Sequence, residues 1–316
     1  MTPMTTRLDH RQRVPENLRG AIVALGNFDG FHLGHQAVVR EAVEWARGEN
    51  RPVIVATFDP HPVRHFAPHV PPFRLTSLDQ REELFLAAGA DAMLVFHFDD
   101  ELASTSAEDF VGKLLAERIG AAGLVTGEDF TFGKGRAGNR DTLASLGAAH
   151  GIETRAAGPV LDSGMVVSSS RIRDALKAGD CEEAARLLTR PFAVRGRVQH
   201  GDKRGRAIGF PTANIAMGSY LRPRFGIYAV TARVMDDGTA LMGASNLGIR
   251  PHFEPPLELL EPHFFDFDDD LYGREIEVAF HHFLRPEAKF ANLDDLVTQM
   301  AKDCDRARDL LSSLRA

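Results

Sequence analysis

Two histidines three residues apart, His32 and His35, stand in the run Gly26-Asn27-Phe28-Asp29-Gly30-Phe31-His32-Leu33-Gly34-His35-Gln36. Imidazoles at i and i+3 on the first turn of a helix project to one side. Near neutral pH they can offer an oxyanion a hydrogen bond or a positive charge. Gly34 between them lets a bulky anion approach the backbone. A second group spans Gly201-Asp202-Lys203-Arg204-Gly205-Arg206-Ala207-Ile208-Gly209-Phe210-Pro211-Thr212-Ala213-Asn214. Its glycines admit close backbone approach and its basic side chains offset phosphate charge. Thr212 and Asn214 supply the neutral oxygens that suit Mg2+, which keeps several waters and bridges to substrate phosphates. Glu261 is flanked by Leu259, Leu260, Phe264 and Phe265. From these residues alone a glutamate facing solvent on a strand is the preferred reading, although a carboxylate partly desolvated in that company would suit general-base work.

These groups need a frame. Residues 21–25 read as one buried strand, and Val38, Val39, Ala42, Val43 and Ala46 share one face of a helix that Gly48 can end. The histidine run is therefore a strand-to-helix turn, where backbone N–H groups and the helix dipole gather a phosphate. From residue 21 to about 160, apolar runs alternate with helical patterns. Strands are expected at 21–25, 52–58, 90–96 and 123–126, with helices at 77–88, opened by a Ser77/Gln80 capping box, and at 106–119. This alternation predicts an α/β domain with a parallel sheet covered on both faces, whose ligands bind at the carboxyl ends of the strands. Val167-Ser168-Ser169-Ser170-Arg171-Ile172-Arg173 reads as a second anion site, with hydroxyls capping a helix and two arginines in its first turn. A short helix follows at 180–188. From Phe192 the texture turns to period two, with strands expected at 192–199, 226–233, 240–246, 259–267 and 275–283. Closely spaced strands without helices between them predict a small antiparallel β-barrel, followed by a C-terminal helix at 293–314. The boundary falls near residue 188, giving domains 1–187 and 188–316.

Composition narrows the function classes. The chain has 316 residues, is 44% hydrophobic and carries 37 basic against 44 acidic side chains, a formal charge of −7. That length and apolar content suit two cores, and the acidic balance without a long basic run argues against nucleic acid. Cys181 and Cys304, far apart, read as reduced thiols of a cytoplasmic protein. No apolar run is long enough for a membrane span, and residues 1–19 lack the apolar stretch of a secretory signal. His61, His65 and His69 have i, i+4, i+8 spacing, but Pro60, Pro62 and Pro68 break a regular helix there, so a loop walling a pocket is preferred to a metal face. Gly133 to Gly138 spells Gly-x-Gly-x-x-Gly without the strand and helix of a dinucleotide fingerprint. It is read instead as a mobile basic loop that folds over a nucleotide. Asp266, Asp268, Asp270 and Glu277 match calcium-loop positions, but Leu271 fills the slot that demands glycine, which leaves an acidic turn.

The His-x-Gly-His run on a strand-to-helix turn, with Ser168-Ser169-Ser170-Arg171 downstream, resembles the nucleotidyltransferase superfamily, and most of all its flavin-adenylylating branch. Ser170 stands where that pattern usually shows threonine. Residues 190–316 resemble the riboflavin kinase domain, carried by Pro211-Thr212-Ala213-Asn214, by Asn246 to Arg250, and by Glu261 to Gly273. Pro262 after the glutamate and His252 in place of threonine depart from the commoner pattern, and Pro262 implies a strand edge or a bulge. Together the chain is similar to the bifunctional bacterial riboflavin kinase/FMN adenylyltransferase (FAD synthetase) family. The resemblance implies ATP-dependent phosphorylation of riboflavin to FMN, then adenylylation of FMN to FAD with release of pyrophosphate, with Mg2+ in both steps. It implies His32 and His35 as catalytic groups, and Gly26, Asn27, Phe28, Asp29, Gly34, Asp129, Ser168, Ser169, Ser170 and Arg171 around nucleotide and flavin phosphate. In the kinase it implies Glu261 as the base, Thr212 and Asn214 on Mg2+, and Gly205, Arg206, Gly209, Asn246 and Arg250 about ATP and flavin. The expected partners are small molecules alone, for a cytoplasmic monomer or weak homo-oligomer.

Overall fold

Buried alternation along four short strands builds the first half. In the computed structural model, which describes residues 6–200, 208–250 and 257–312, β1 (Thr6–Asp9), β2 (Ile22–Leu25), β3 (Val53–Asp59), β4 (Ala92–His97), β5 (Gly123–Gly127) and β6 (Glu153–Ala157) form a parallel sheet in the order β1-β4-β3-β2-β5-β6. Successive side chains point to opposite faces. Val23, Leu25, Ile54, Ala56, Leu94 and Phe96 enter one core, while Ile22, Ala24, Val53, Val55, Met93 and Val95 enter the other. Helices α1 (Leu33–Glu49) and α3 (Leu78–Ala87) cover the second face through Val39, Ala42, Trp45 and Phe85. The segment Phe110–Ile119 and α6 (Arg140–Ala149) cover the first through Val111, Leu115 and Leu143.

Several boundaries differ from the sequence expectation, each for a local reason. α1 runs through Gly48 to Glu49 and stops at Asn50, which adopts the left-handed conformation and donates its N–H to Ala46 O and Arg47 O. The helix expected at 106–119 is one α turn, α5 (Ala107–Asp109), capped by Ser106 Oγ, and then a π-helix, Phe110–Ile119. Residues 62–66, read as proline-broken loop, form the short helix α2 (Pro62–Phe66), because proline is tolerated at the first helical position. β1 was hidden by its four polar-flanked residues. It pairs with β4 at the sheet edge and is pinned by Arg7 to Asp79 and Glu82, and by Arg11 to Asp99. β6 was hidden because its side chains are only half-buried or exposed. The short helix α4 (Asp100–Ser104) precedes α5, and a hairpin of β7 (Leu161–Asp162) and β8 (Met165–Val166) follows β6.

By internal contacts the chain divides into two compact units, Met1–Val70 with Leu78–Ser168, and Pro71–Ser77 with Ser169–Ala316. The second unit contains α7 (Ser169–Ala178), α8 (Cys181–Leu188) and an antiparallel sheet of β9 (Phe192–Arg197), β10 (Ile215–Ala216), β11 (Gly226–Val234), β12 (Ala240–Arg250), β13 (Leu257–Phe264) and β14 (Glu275–Arg285). Their order is β10-β13-β12-β11-β14-β9. The sheet nearly closes, since Gln199 N–H, just past β9, donates to Asn214 O, just before β10, at 2.8 Å. Tyr228, Val230, Leu247, Leu260, Ile276 and Phe280 are fully buried. Outside the sheet, α9 (Leu293–Ser312) packs Ala307 and Leu311 on Ala229, Ala244 and Leu284. It is tied down by Arg285 to buried Asp303 at 2.7 Å and by Arg308 to Asp266 at 2.7 Å. The acidic turn expected at Asp266 thus serves as an anchor for this helix. Segment 71–77 joins the second unit: Arg74 N–H donates to Ser219 O and Leu221 N–H to Arg74 O.

His281 of β14 lies with Thr231 Oγ1 2.9 Å from its Nε2, and burial, aided by His282, pushes its pKa down to about 4. The unfolded chain protonates this histidine near pH 6.5. The stability it contributes is therefore complete above that pH and is lost as pH falls towards about 4. Urea unfolding at pH 7, 5.5 and 4 should show a flatter pH profile for His281→Gln than for the wild type; parallel profiles would count against this assignment. The boundary is also testable. α8 buries Cys181, Ala184 and Leu187 and packs on β9 and β14. A fragment of residues 169–316 is expected to melt at least about 5 °C above one of 188–316; equal melting would show that α8 adds nothing to the barrel.

Candidate functional site

The loop after β2 is strained. Gly26 N–H donates to Ala56 O at 3.2 Å, and the chain then turns through Phe28 (φ 50°), Gly30 (φ 88°) and Phe31 (φ 45°). Two bulky residues in the left-handed region cost on the order of 1–3 kcal/mol each. Burial offsets this. Phe28 and Phe31 are 1% and 3% exposed. The Phe28 ring meets Phe85 and His35 edge-on at 5.7 and 5.3 Å, and Phe31 meets Phe85 at 5.2 Å. Gln36 Nε2 donates to Phe31 O at 3.0 Å.

The loop delivers His32 to the start of α1. His32 is not on the first turn, as its spacing suggested, but is the N-cap residue. Its Nδ1 accepts the N–H groups of Gly34 at 3.2 Å and His35 at 3.4 Å. A ring that accepts at Nδ1 carries its proton, when neutral, at Nε2. The buried His32 ring stacks on His35, with centroids 3.6 Å apart and planes 19° from parallel. Two protonated rings at that spacing would repel strongly, so the pair is suited to donate hydrogen bonds more than to hold two charges. A side chain at Gly34 would lie 3.2 Å from the His32 ring and 3.5 Å from Val167 O. Close backbone packing, and not only ligand access, therefore asks for glycine there. Val167 is followed directly by Ser168, which is half-buried.

Asn27 is exposed and Asp29 is buried, 4% exposed. Asp129 is exposed in the turn after β5, with its Oδ1 3.0 Å from where a side chain on Gly127 would start. Since β2 and β5 are neighbours, paired through Ala24 and Val125, Gly26–Gly30 and Asp129 leave the sheet at the same carboxyl end. Ser169, Ser170 and Arg171 open α7 in the second unit, where Arg171 forms an ion pair with Glu183 of α8. The glycine-rich loop is anchored rather than loose at its ends. Phe132 and Gly138 exchange two backbone hydrogen bonds of 3.0 Å, the Phe132 side chain is in the core, and Lys134 N–H donates to Thr105 O at 2.8 Å. Its basic tips, Lys134 and Arg136, are exposed.

A buried polar cluster escaped sequence reading. Thr57, Asp59 and Arg81 meet at the carboxyl ends of β2 and β3. Arg81 is 3% exposed and bonds Thr57 Oγ1 at 2.7 Å. The available signal was an arginine four residues before Phe85, and so on the buried face of α3.

In the second unit, register does the positioning. Asn246 of β12 is opposite Glu261 of β13, and Asn246 Nδ2 donates to Glu261 Oε2 at 3.3 Å. Ile215 pairs with Leu260, and Ala213 N–H donates to Pro262 O at 2.9 Å. Carrying that register one residue further places Asn214 opposite Glu261, so Asn214, Glu261 and Asn246 form one cross-strand row. Thr212 lies two residues before Asn214, just ahead of β10. The alternative left open at Pro262 resolves as an edge. Its register with Ser245 is unbroken, and its carbonyl faces the side where β10 extends only over Ile215–Ala216. His263 Nδ1 lies 2.9 Å from Pro211 O, fastening the same segment. Asn214 is 8% exposed, and Asn246 Oδ1 is buried without a hydrogen-bond partner among the described residues. Neutral amide oxygens in a row with a carboxylate, and a hydroxyl two residues away in sequence, are a donor set that fits Mg2+. Gly209 is exposed at φ 86°. Gly205, Arg206 and His252 lie outside the described residues, as does the side chain of Arg250 at the end of β12.

Two family models match in tandem: FAD synthetase over residues 14–171 and riboflavin kinase over residues 188–311. The chain is 38% identical to the bifunctional riboflavin kinase/FMN adenylyltransferase of Escherichia coli K12 across 92% of both chains. It belongs to the bifunctional riboflavin kinase/FMN adenylyltransferase family. Family members from Pseudomonas fluorescens and Bacillus subtilis are 39% and 35% identical, over 94% and 96% of each chain. A Streptococcus pneumoniae crystal structure titled as a macrolide-efflux protein superposes with a TM-score of 0.85 at 29% identity, covering 96% of this chain and 99% of that one. Among the described residues of this family member, no helix is long and apolar enough to cross a membrane.

The cap and the chemistry of His32 are separable. Replacing it with alanine should cost about 1 kcal/mol of stability by loss of the cap, whereas asparagine, a good N-cap, should restore most of it. Thermal unfolding of His32→Ala and His32→Asn checks this; equal melting points would show that the Nδ1 bonds do not stabilise α1.

Proposed function

We propose that this chain makes FAD from riboflavin in two ATP-dependent steps, with the kinase in residues 188–316 and the adenylyltransferase in residues 1–187. The supporting observation is that two separate polar constellations, one at the start of α1 and one across β10, β13 and β12, occur in a chain whose family carries both activities in its name.

In the kinase step Glu261 accepts the proton of the ribityl 5′-hydroxyl as that oxygen attacks the γ-phosphorus of ATP, giving FMN and ADP. Asn246 steers the carboxylate through its 3.3 Å hydrogen bond. Thr212 and Asn214 would hold Mg2+, which when bound would neutralise phosphate charge. Gly205, Arg206, Gly209 and Arg250 complete the ATP and flavin contacts.

In the adenylyl step a phosphate oxygen of FMN attacks the α-phosphorus of a second ATP and pyrophosphate leaves, giving FAD. No covalent enzyme intermediate is required, so catalysis consists of positioning and charge stabilisation. His32 Nε2–H and the His35 ring donate to the triphosphate as negative charge moves to the leaving pyrophosphate. Backbone N–H groups at Gly26–Asp29 and at Gly34, under the α1 dipole, receive phosphate oxygens. Asn27, Asp129, Ser168, Ser169, Ser170 and Arg171 contact nucleotide and flavin phosphate. The same reading gives a cytoplasmic monomer or weak homo-oligomer with neither nucleic acid nor membrane as partner.

One assay tests the division of labour. Purified chain is mixed with riboflavin, ATP and Mg2+, and the three flavins are separated by HPLC. His35→Ala should let FMN accumulate while FAD formation falls at least about 100-fold. Glu261→Ala should block FMN formation yet still convert supplied FMN to FAD. Loss of both activities in either variant would refute independent sites.

A further inference from the structure

We propose that Arg81 is a positioning residue for FMN adenylylation, fixing the peptide plane that launches the His32 loop; the inference rests on the adenylyltransferase reading of that site. The Arg81 side chain is 4% exposed on α3. Its Nη1 lies 2.7 Å from Thr57 Oγ1, 3.3 Å from Asn27 O and 3.4 Å from Phe58 O, and its Nη2 lies 3.3 Å from Asp59 Oδ1. Thr57 Oγ1 itself donates to Asn27 O at 2.7 Å. All these acceptors lie in the last three residues of β3 or in the loop that leaves β2.

A buried guanidinium is costly to desolvate, and an apolar residue of similar volume generally serves stability as well or better. Phe85, on the same face, is such a residue. What an apolar side chain cannot do is orient a carbonyl. In a trans peptide the C=O and the following N–H point in opposite directions, and the cis bond found here is at Asp59–Pro60. Two donors drawing Asn27 O towards β3 therefore turn Phe28 N–H away from β3. Phe28 is also the first left-handed residue of the turn that ends at the His32 cap. Arg81 and Thr57 thus set the phase of the whole loop from outside it. Asp59 offsets the charge and holds the guanidinium plane.

The test uses the full chain with Arg81→Met, Arg81→Lys, Thr57→Val and Thr57→Ser, measuring FMN adenylylation, riboflavin phosphorylation and melting temperature. A displacement of about 1 Å in a reacting geometry costs about 100-fold in rate. Arg81→Met is accordingly expected to lower kcat for FAD formation by about 100-fold and Thr57→Val by about tenfold, with KM for ATP and FMN moving less than about threefold. Thr57→Ser, which keeps the hydroxyl, should match the wild type. Arg81→Lys should recover only part of the rate, because an ammonium lacks the planar fork. Riboflavin phosphorylation should stay within about twofold throughout. The proposal is overturned if Thr57→Val and Arg81→Met keep normal kcat, if Thr57→Ser fails as badly as Thr57→Val, or if both activities decline together with the melting temperature. A wild-type chain that makes no FAD defeats the functional reading and this inference with it. FAD formation by the wild type and by all four variants alike defeats the inference alone.

Discussion

The arrangement of the histidine pair in the first unit depends on one interaction, the capture of two backbone N–H groups by His32 Nδ1 at the start of α1. A helix leaves its first N–H groups without intrahelical partners. Most caps spend a serine or aspartate oxygen on that task. Here an imidazole does it, and the cap determines which ring nitrogen faces outward and where the His35 ring must stack. The geometry of the histidine pair is thereby a by-product of satisfying a helix end. The preceding loop accepts two left-handed phenylalanines to bring His32 to that point, and it is stabilised by burying both rings against Phe85.

The second unit reaches a comparable precision by other means. Asn214, Glu261 and Asn246 are aligned by strand register, with Leu260, Leu247 and Ile215 filling the opposite face at no exposure. A register slip of one residue would turn the polar row inward and the leucines out, so the core itself guards the site. Pro262 fits this scheme because its missing N–H faces the short end of β10. At that point Ala213 offers a donor, and Pro262 contributes the acceptor.

Much of this was legible in the sequence. Strands at 22–25, 53–59, 92–97 and 123–127 lie within two residues of the apolar runs that announced them, since burial on both faces of a parallel sheet needs such runs. β1 and β6 were not legible, because edge strands need little apolar character. The π-helix Phe110–Ile119 was not legible either: apolar spacing at three to four residues does not separate it from an α-helix. Among site residues, the histidines were found but the capping role of His32 was not, since histidine is an uncommon N-cap. Arg81 was missed because its meaning lies in acceptors 22 to 54 residues away in sequence, which no local pattern reveals.

The charge balance ties the two units together. A chain of net charge −7 handles ligands that are themselves polyanions. Many of its arginines are committed to carboxylates: Arg195 to Glu277, Arg222 to Glu258, Arg274 to Asp236 and Asp237, Arg285 to Asp303, and Arg308 to Asp266. On the proposed reading, recognition of phosphate then falls to a few arginines such as Arg171 and, for the larger part, to oriented dipoles, namely helix N-termini, backbone N–H groups, imidazole N–H, and amide and hydroxyl side chains. Dipoles held rigidly by the fold need little reorganisation as charge shifts in a transition state. They also release an anionic product more readily than a cluster of bare cations would, because the attraction falls off faster with distance than that between full charges. Tying these guanidinium groups to carboxylates leaves phosphate binding, on the proposed reading, mainly to groups whose orientation the backbone fixes.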